Sequence, residues 1–257
     1  MERCCVEIDA GRCVGCGLCV SVCPARNIVT ERGRARTIMG KCIMCGQCSA
    51  VCPQKAVSIK GFGSGQVEKP GELRLNPEDV LNVIRFRRSV RRFRETPVPG
   101  EVIAQILEAG RLTHTAVNAQ DVSFTVLVDG RERVERMAVK LFRAVKPLAN
   151  LVSAMARNNE IGEHFFFFNA PAVIVISARD KTNGILAAQN MEFVAEANGL
   201  GVLYSGFFTM AANASRGIRK ALAIPRGKKA AMTLVLGYPD VKYLRSTPHR
   251  ELDARYM

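Results

Sequence analysis

The sequence of 257 residues lacks any apolar segment long enough to cross a membrane. No stretch approaches the roughly eighteen apolar residues of a transmembrane helix, and the N-terminus carries charges and cysteines where a signal peptide would have an apolar core. We therefore expect a cytoplasmic protein. A hydrophobic content of 48% is enough for a packed core, and the length fits one small and one medium domain.

Two nucleotide-binding motifs are also missing, and histidine is scarce. No GxGxxG follows a predicted strand, and no GxxxxGK followed by Ser or Thr occurs, so neither a Rossmann fold nor a P-loop is indicated. The three histidines, His114, His164 and His249, have no candidate nucleophile paired with them in the sequence. We interpret each histidine as structural.

Cysteine, in contrast, is abundant, and eight of the ten cysteines fall into two copies of one spacing. The pattern C-x-x-C-x-x-C-x-x-x-C-P occurs twice, 29 residues apart, and has the spacing of bacterial ferredoxins. In that arrangement three cysteines of one run hold a 4Fe–4S cluster and the fourth ligates the other cluster. We therefore expect two clusters, one on Cys13, Cys16, Cys19 and Cys52, the other on Cys42, Cys45, Cys48 and Cys23.

Glycines within the cysteine runs support this interpretation. Gly15, Gly17 and Gly46 permit positive φ and close backbone approach, so that amide N–H groups can point at sulfurs and stabilise the charge of a cluster. Zinc pairs and disulfides are the alternatives, but neither predicts a repeated third spacing with a trailing proline. Because clusters survive in a reducing compartment, the cysteine count does not imply secretion.

The composition of the chain changes after the second cysteine run. We predict a two-cluster ferredoxin domain at 1–60, with short strands at 6–9 and 57–60, then a linker at 61–75 that is rich in glycine, and a second domain at 76–257. Cys4 and Cys5 lie outside both runs; we interpret them as small hydrophobic strand residues, with a redox-active thiol pair as the alternative.

In the second domain, helical and strand periodicities alternate irregularly. We predict helices at 77–85, 101–112, 131–145, 147–157, 184–198 and 216–223, and strands at 122–128, 172–177 and 231–236. The helix at 184–198 is apolar on nearly all sides, so we expect it either at the centre of the domain or across a subunit interface. The pattern indicates an α+β fold with a mostly antiparallel sheet flanked by helices.

From about Asn76 to the C-terminus, the second domain resembles the FMN-dependent nitroreductases. The resemblance rests on five stretches in order: RRSVRRF at 87–93, PVPGEVIAQILEAGRLTHTAVNAQ at 97–120, NAPAVIVI at 169–176, AAQNMEFVAEANGLG at 187–201 and LGYP at 236–239. It implies bound FMN, a nitroreductase-like fold and a homodimer with both flavins at the subunit interface. The flavin chemistry of the family requires no catalytic side chain.

The resemblance also implies cofactor-binding residues. Those matched to the flavin phosphate, ribityl chain and pyrimidine end are Arg87, Arg88, Ser89, Arg91, Asn118 and Gln120. The loop matched to the reactive flavin nitrogen is Tyr204, Ser205 and Gly206, and Arg250, with Arg245 next, is matched to the C-terminal basic residue of the phosphate site. A solvated basic helix end is the alternative interpretation of the arginines.

Two features depart from the family or stay ambiguous. Asp121 and Val122 follow Gln120 where the family often has Pro and Trp, and the chain has no tryptophan, which weakens the case for an aromatic-substrate pocket. The four phenylalanines at 165–168 cannot all face solvent; we expect core or dimer contacts, with a pocket lid as the alternative.

The formal net charge of +14 would by itself suggest nucleic-acid binding. Cluster thiolates, cluster iron and a flavin phosphate would reduce the charge of the loaded protein to about +8. Six arginines between Arg85 and Arg94 suit one phosphate-bearing cofactor as well as a polymer. We therefore expect neither a nucleic-acid nor a membrane partner, although redox-regulated nucleic-acid binding stays as a distant alternative.

A cluster passes one electron at a time, whereas a flavin can exchange one or two. We therefore expect an FMN-dependent oxidoreductase in which an external donor reduces the clusters, the clusters reduce FMN, and FMN reduces a small organic acceptor such as a nitroaromatic or quinone. In one alternative, NAD(P)H reduces FMN and the clusters pass electrons out to ferredoxin. In another, the protein is an electron carrier or redox sensor without an organic substrate of its own.

Overall fold

The computed structural model describes residues 6–38, 42–62 and 65–257 and divides them into two units. The first unit holds the described residues up to Arg74 together with Thr115–Ala119, and the second holds Leu75–His114 and Gln120–Met257. The described part of the predicted linker contains no helix or strand. The predictions for Cys4 and Cys5 fall outside the described residues.

Among its described residues, the first unit contains two short antiparallel strand pairs, two single-turn α-helices and a short 3-10 helix at Ala116–Asn118. β1 (Val6–Ile8) pairs with β4 (Val57–Ile59), so strands flank the cysteine runs as predicted. β2 (Ile28–Glu31) and β3 (Arg34–Thr37) form a hairpin that the sequence analysis did not predict. The one-turn helices α1 (Leu18–Ser21) and α2 (Gln47–Ala50) each begin inside a cysteine run.

Backbone conformation explains the glycines of the cysteine runs. Gly15, Gly17 and Gly46 have φ values of 69°, 77° and 78°, a region that a residue with a Cβ atom rarely adopts. At Gly15 a Cβ atom would also lie 1.9 Å from the carbonyl oxygen of Gly33 in the turn of the β2–β3 hairpin. The predicted positive φ values are thus confirmed, and at Gly15 the close backbone approach is present as well.

The second unit is built on a four-stranded antiparallel sheet. Its strand order is β5–β6–β8–β7, with β5 at Ser123–Leu127, β6 at Ala172–Ala178, β7 at Gly201–Tyr204 and β8 at Lys229–Gly237. Every residue of β6 is buried, because helices cover both faces of the sheet. The predicted α+β class with an antiparallel sheet is confirmed.

The described part of the second unit also contains seven helices. They are α3 (Pro77–Phe86), α4 (Gly100–Arg111), α5 (Arg131–Val152), α6 (Ala154–Asn158), α7 (Lys181–Ala197), α8 (Gly206–Ala214) and α9 (Arg216–Ala221). α4 and α7 share one apolar cluster with Ile174 and Leu234 of the sheet. α5, α8 and α9 share another with Val173 and Val235, so alternate residues of each strand face opposite cores.

The structure differs from the predicted elements in three places. α5 continues through Pro147 instead of breaking there, and Arg143 and Lys146 donate hydrogen bonds to the carbonyls of Ile161 and Asn159 at 2.9 and 2.7 Å. α7 is not enclosed on all sides in the single chain, since Ile185 and Leu186 are exposed, and its expected place across a subunit interface stays a prediction. β7 and α8 were not predicted, and Ser205 is the one residue between them.

Among the described residues, no helix combines the length and the apolar character needed to span a membrane.

Candidate functional site

The eight cysteines of the two runs line two small cavities in the first unit. One cavity is bordered by Cys13, Cys16, Cys19 and Cys52, and the other by Cys23, Cys42, Cys45 and Cys48. The fourth cysteine of each run therefore lies with the first three of the other run, which is the crossed arrangement expected from the spacing. Among the described residues, no group of three or more His, Cys, Asp or Glu side chains is arranged around the position of a single metal ion. The four cysteines of each quartet instead line a small cavity.

Backbone amides are directed at the cysteine sulfurs. Four N–H groups donate to Sγ atoms at 3.3 to 3.4 Å: Asn27 to Cys23, Ala35 to Cys13, Met44 to Cys42 and Ala56 to Cys52. Asn27 also lines the second cavity, and its buried side-chain nitrogen has no hydrogen-bond partner among the described residues. A group rich in acceptor sulfur would satisfy such donors, so the lining fits an iron–sulfur cluster.

The thiols have different environments. Hydrogen bonds from the backbone of Ala35 and then Gly15 lower the pKa of Cys13. Burial raises the pKa of Cys19 and raises that of Cys48 to about 11. A buried thiolate therefore needs compensating positive charge, which cluster iron would supply.

Asn118, predicted to contact a flavin, belongs to the first unit. Its side-chain nitrogen donates to the carbonyls of Met44 at 2.7 Å and Ile43 at 3.2 Å, between Cys42 and Cys45 of the second cysteine run. The backbone here is unusual, with positive φ values at Val117, Asn118 and, in the second unit, Gln120. The side-chain amide of Asn118 is therefore hydrogen-bonded to the backbone of the second cysteine run.

The second unit contains a cavity of about 900 Å³. Four of the predicted cofactor-binding residues line it, namely Arg91, Tyr204, Ser205 and Gly206. Phe165, Phe166 and Phe168, for which a pocket lid was the alternative, also line the cavity. Lining residues that were not predicted include the apolar Leu203, Phe207 and Met210 and the cations Arg179, Lys181 and Lys229. A flat aromatic molecule with an anionic group matches this combination of aromatic wall and cations.

The phenylalanines at 165–168 serve both the core and the cavity. Phe166 and Phe167 are each 1% exposed, as expected of core residues, and Phe166 packs edge-on against Phe142 and Phe165. Phe165 and Phe168 are half-buried, and both line the cavity. The backbone N–H groups of Phe166 and Phe167 donate to the carboxylate of Glu135 at 3.0 and 2.7 Å. One buried carboxylate thus holds this segment in place.

The start of α8 contributes backbone donors to the cavity. β7 ends at Tyr204 and α8 begins at Gly206, with Ser205 in the N-cap position. The Ser205 hydroxyl donates to the carbonyl of Phe166 at 3.1 Å and makes no capping bond to the helix. A Cβ atom at Gly206 would meet nothing within 4 Å. A ligand can therefore approach the N-terminal end of α8, where the helix dipole favours negative charge.

A buried ionic network lies beside Tyr204. Arg87 forms an ion pair with Glu192, which is 6% exposed, and its guanidinium lies 5.3 Å from the ring centre of Phe193. The Tyr204 hydroxyl and the Gln189 amide each donate to the same carboxylate at 3.0 Å. Burial, followed by the charge of Glu192, raises the pKa of Tyr204 and that of Glu196. Arg87 is therefore joined to the cavity through Glu192 and Tyr204, and Glu192 was not among the predicted residues.

The predicted residues Arg88, Ser89 and Arg250 lie in different places relative to the cavity. Arg88 donates to the carbonyls of Arg87 at 2.5 Å and Arg245 at 3.2 Å. Ser89 forms an isolated parallel bridge with Val202 of β7, which aligns the RRSV stretch with the strand that leads into the cavity. Arg250 lies in an exposed C-terminal segment without helix or strand. Neither Arg88 nor Arg250 is among the residues that line the cavity.

Asp121, which replaces the expected proline, has a structural role. Its carboxylate accepts hydrogen bonds from the backbone N–H groups of Arg179 and Asp180 at 2.8 and 3.0 Å and from the Asn183 side chain at 2.8 Å. Burial raises the pKa of Asp121, but these hydrogen bonds outweigh burial and lower it overall. Asp121 thereby fixes the turn that places Arg179 and Lys181 at the cavity.

Comparison with known families matches both parts of the chain. The Nitroreductase family pattern covers residues 84–238, and the 4Fe-4S dicluster domain pattern covers residues 5–53. A curated relative from Methanothermobacter thermautotrophicus, provisionally named an NADH dehydrogenase/NAD(P)H nitroreductase, is 28% identical over 170 residues. The alignment covers 63% of this chain and 78% of that protein.

Solved structures share the fold of the second unit. A nitroreductase with bound FMN from Desulfitobacterium hafniense DCB-2 superposes with a TM-score of 0.59 at 18% identity, covering 72% of this chain and 100% of that chain. A nitroreductase with bound FMN from Bacteroides fragilis NCTC 9343 has a TM-score of 0.57 at 19% identity, covering 70% and 98%. At these identities the likeness establishes the fold.

Proposed function

Because the chain belongs to the Nitroreductase family and carries a 4Fe-4S dicluster domain, we propose that this oxidoreductase passes electrons between two 4Fe–4S clusters and FMN to reduce a small organic acceptor. The observation that carries the proposal is the pairing of crossed cysteine quartets with a flavin-sized cavity in one chain. A cavity of about 900 Å³ lies within the range of cofactor sites.

In this proposal the cavity of the second unit holds FMN. When bound, the flavin would convert the single-electron transfers of the clusters into the two-electron reduction of an organic molecule. Arg91 and the cations Arg179, Lys181 and Lys229 are candidates for the phosphate. Gly206 and Phe207, at the start of α8, would supply backbone N–H groups that stabilise negative charge.

The remaining matched residues take indirect or secondary roles in this proposal. Arg87 neutralises Glu192, and Glu192 orients the Tyr204 hydroxyl, so Arg87 positions Tyr204 beside the flavin. Arg88 and Ser89 hold the adjoining stretch against β7 and the C-terminal segment. Gln120 and Arg250 stay as flavin-binding candidates on the strength of the family resemblance.

The two cysteine quartets would each hold one cluster. Cys13, Cys16, Cys19 and Cys52 are the proposed ligands of the first cluster, and Cys23, Cys42, Cys45 and Cys48 those of the second. The amide N–H groups directed at sulfur would stabilise the extra negative charge of a reduced cluster.

A homodimer is also part of the proposal, because the family resemblance implies one. α3 is amphipathic, yet none of its residues is buried in the single chain. Leu81, Ile84 and Phe86 are among its exposed apolar side chains, as expected of a helix that a second copy covers.

The direction of electron flow defines the second candidate function. The name of the Methanothermobacter relative favours NAD(P)H as the donor to FMN, with the clusters passing electrons out to a ferredoxin-like acceptor. Stopped-flow mixing with NAD(P)H and, separately, with reduced ferredoxin will distinguish the two directions. A donor to FMN reduces the flavin before the clusters, whereas a donor to the clusters reduces the clusters before the flavin.

The proposal is tested on protein purified without oxygen. We expect about eight irons per chain, flavin absorbance that denaturation releases as FMN, and turnover with at least one member of a panel of nitroaromatics and quinones. Cofactor reduction without turnover on any acceptor would favour an electron carrier or sensor. Protein without flavin and without affinity for added FMN would refute the proposal.

A further inference from the structure

The two cysteine runs are related by a shift of 29 residues, but they differ at one strained position. Gly15 in the first run corresponds to Met44 in the second. Both have left-handed backbone, with φ of 69° at Gly15 and 53° at Met44. Glycine adopts this conformation without steric cost, whereas the Cβ atom of methionine opposes it. A contact that holds Met44 in this conformation would therefore offset a strain that Gly15 does not have.

Asn118 provides that contact. Its amide group has two N–H donors, and both have acceptors in the second run, the carbonyls of Met44 at 2.7 Å and Ile43 at 3.2 Å. In the sequence, Asn118 is separated from Met44 by 74 positions and from Ile43 by 75 positions. Although the family match spans 84–238, Thr115–Ala119 belong to the first unit.

The conformation of this segment agrees with a positioning role. Val117 has φ of 47° and Asn118 has φ of 53°. A left-handed β-branched residue is a genuine outlier and persists only where surrounding contacts determine it. The strain lies next to the side chain that contacts the second run.

The held backbone has a direct relation to a cluster ligand. The N–H group of Met44 donates to the sulfur of Cys42 at 3.3 Å. Such a bond stabilises the more negative, reduced form of a cluster and so raises its reduction potential. The geometry of Met44 is thus a means of setting the potential of one cluster.

We propose that Asn118 is a positioning residue for the cluster of Cys23, Cys42, Cys45 and Cys48. It holds the left-handed Met44 so that the Met44 N–H group stays directed at Cys42, and it thereby raises the potential of that cluster. This inference rests on the proposed function, because it requires the clusters. It differs from the flavin-contact role that the family resemblance implies for the same residue.

The test compares Asn118→Ala and the isosteric Asn118→Asp with the unmodified protein, each loaded with clusters and FMN. Redox titration followed by electron paramagnetic resonance reports both cluster potentials, and fluorescence of released flavin reports FMN affinity. In the variants we expect the equilibrium constant for reduction of the cluster of Cys23, Cys42, Cys45 and Cys48 to fall on the order of tenfold. For one electron this lowers its reduction potential by about 59 mV. The other cluster serves as an internal control, and FMN affinity stays unchanged.

A rescue variant separates positioning from a general folding effect. Met44→Gly removes the Cβ atom that opposes the left-handed backbone, so the double variant Met44→Gly with Asn118→Ala is expected to regain most of the lost potential. If Asn118→Ala loses one cluster entirely, four of the eight expected irons will be missing, and the double variant is expected to recover them.

Three results would overturn the inference. One is a tenfold loss of FMN affinity with both cluster potentials unchanged, which would make Asn118 a flavin ligand. Another is that neither potential nor FMN affinity changes. The third is that Met44→Gly fails to rescue any defect of Asn118→Ala. Absence of clusters or FMN from the unmodified protein would instead refute the proposed function itself.

Discussion

Glu135 is the residue whose removal we expect to disturb the cavity most from a distance. It is 2% exposed on α5, and one carboxylate oxygen accepts both N–H groups of Phe166 and Phe167. Glu135→Ala leaves two buried donors without partners, at about 1 to 3 kcal/mol each. We expect a loss of about 3 kcal/mol in unfolding free energy and a fall of ~10 °C in the melting temperature of the second unit.

The same variant is expected to weaken FMN binding, because Phe166 lines the cavity and its carbonyl accepts the Ser205 hydroxyl. Thermal unfolding followed by circular dichroism and FMN titration followed by fluorescence are the measurements. Glu132→Ala is the matched control, since Glu132 lies one turn earlier on α5 and makes only an exposed ion pair with Arg136 at 3.8 Å. Equal melting temperatures for the two variants would refute the assigned role of Glu135.

Glu135→Gln tests the charge separately, because it keeps an acceptor oxygen. Burial raises the pKa of Glu135 despite hydrogen bonds from Phe167 and Phe166 and the nearby His164, whose ring nitrogen lies 3.6 Å from the carboxylate. Glu95, Arg131 and Glu132 border the same cleft. A raised carboxyl pKa means that the folded protein binds more protons than the unfolded chain.

Stability of the unmodified protein, relative to Glu135→Gln, should therefore be greatest in acid and fall as the pH rises from the unfolded pKa of the carboxyl group to its raised folded pKa. Above the folded pKa the difference should stay constant. Chemical denaturation at a series of pH values measures it. A difference that grows in the opposite direction would show that hydrogen bonds to the carboxylate outweigh its burial.

Three further predictions concern single residues. Gly15→Ala should abolish the first cluster and halve the iron content, since its Cβ atom would overlap the Gly33 carbonyl. Gly17→Ala is the matched control, because it introduces the same kind of backbone strain but its Cβ atom meets nothing within 4 Å, and it should retain more iron than Gly15→Ala. Arg91→Ala should raise the dissociation constant of FMN about tenfold or more in a fluorescence titration, while the exposed Arg12→Ala leaves it unchanged. Asp121→Asn should lower the free energy of unfolding by about 1 to 2 kcal/mol at neutral pH. Because the folded pKa of Asp121 is lowered, this difference from the unmodified protein should vanish as acid protonates the carboxylate. A difference in unfolding free energy that does not depend on pH would contradict this role.

Local patterns account for the features that could be anticipated from the sequence. Ligand spacing and glycine positions depend on a few consecutive residues, and they anticipated the crossed quartets that the structure brings together. The start of α3 was equally local, since Asn76 accepts a hydrogen bond from the N–H group of Glu78 and Pro77 follows the cap.

The direction of a long side chain, in contrast, depends on partners far away in the sequence. Arg87 was recognised as a candidate phosphate ligand, but it is paired with Glu192, 105 residues later. Neighbouring residues contain no sign of that partner. The same holds for Asn118, whose acceptors lie in the cysteine run.

Helices and strands were predicted wrongly where residues that break regular structure are few or misleading. β7 and α8 follow each other in one largely apolar stretch, in which Ser205 is the one residue between the strand and the helix. Pro147 suggested a helix break because it lacks an N–H group. α5 nevertheless continues through Pro147 to Val152.

The four consecutive phenylalanines have a consequence for changing the range of acceptors by mutation. Phe166 and Phe167 are almost completely enclosed, so shortening either would leave an internal void at about 3 to 5 kcal/mol. Phe165 and Phe168 face the cavity while remaining partly open. Phe165 and Phe168 also pack against the core, but they are less enclosed than Phe166 and Phe167. Libraries that vary only the two outer positions should therefore reshape the cavity at a smaller cost in stability than changes at the two inner positions.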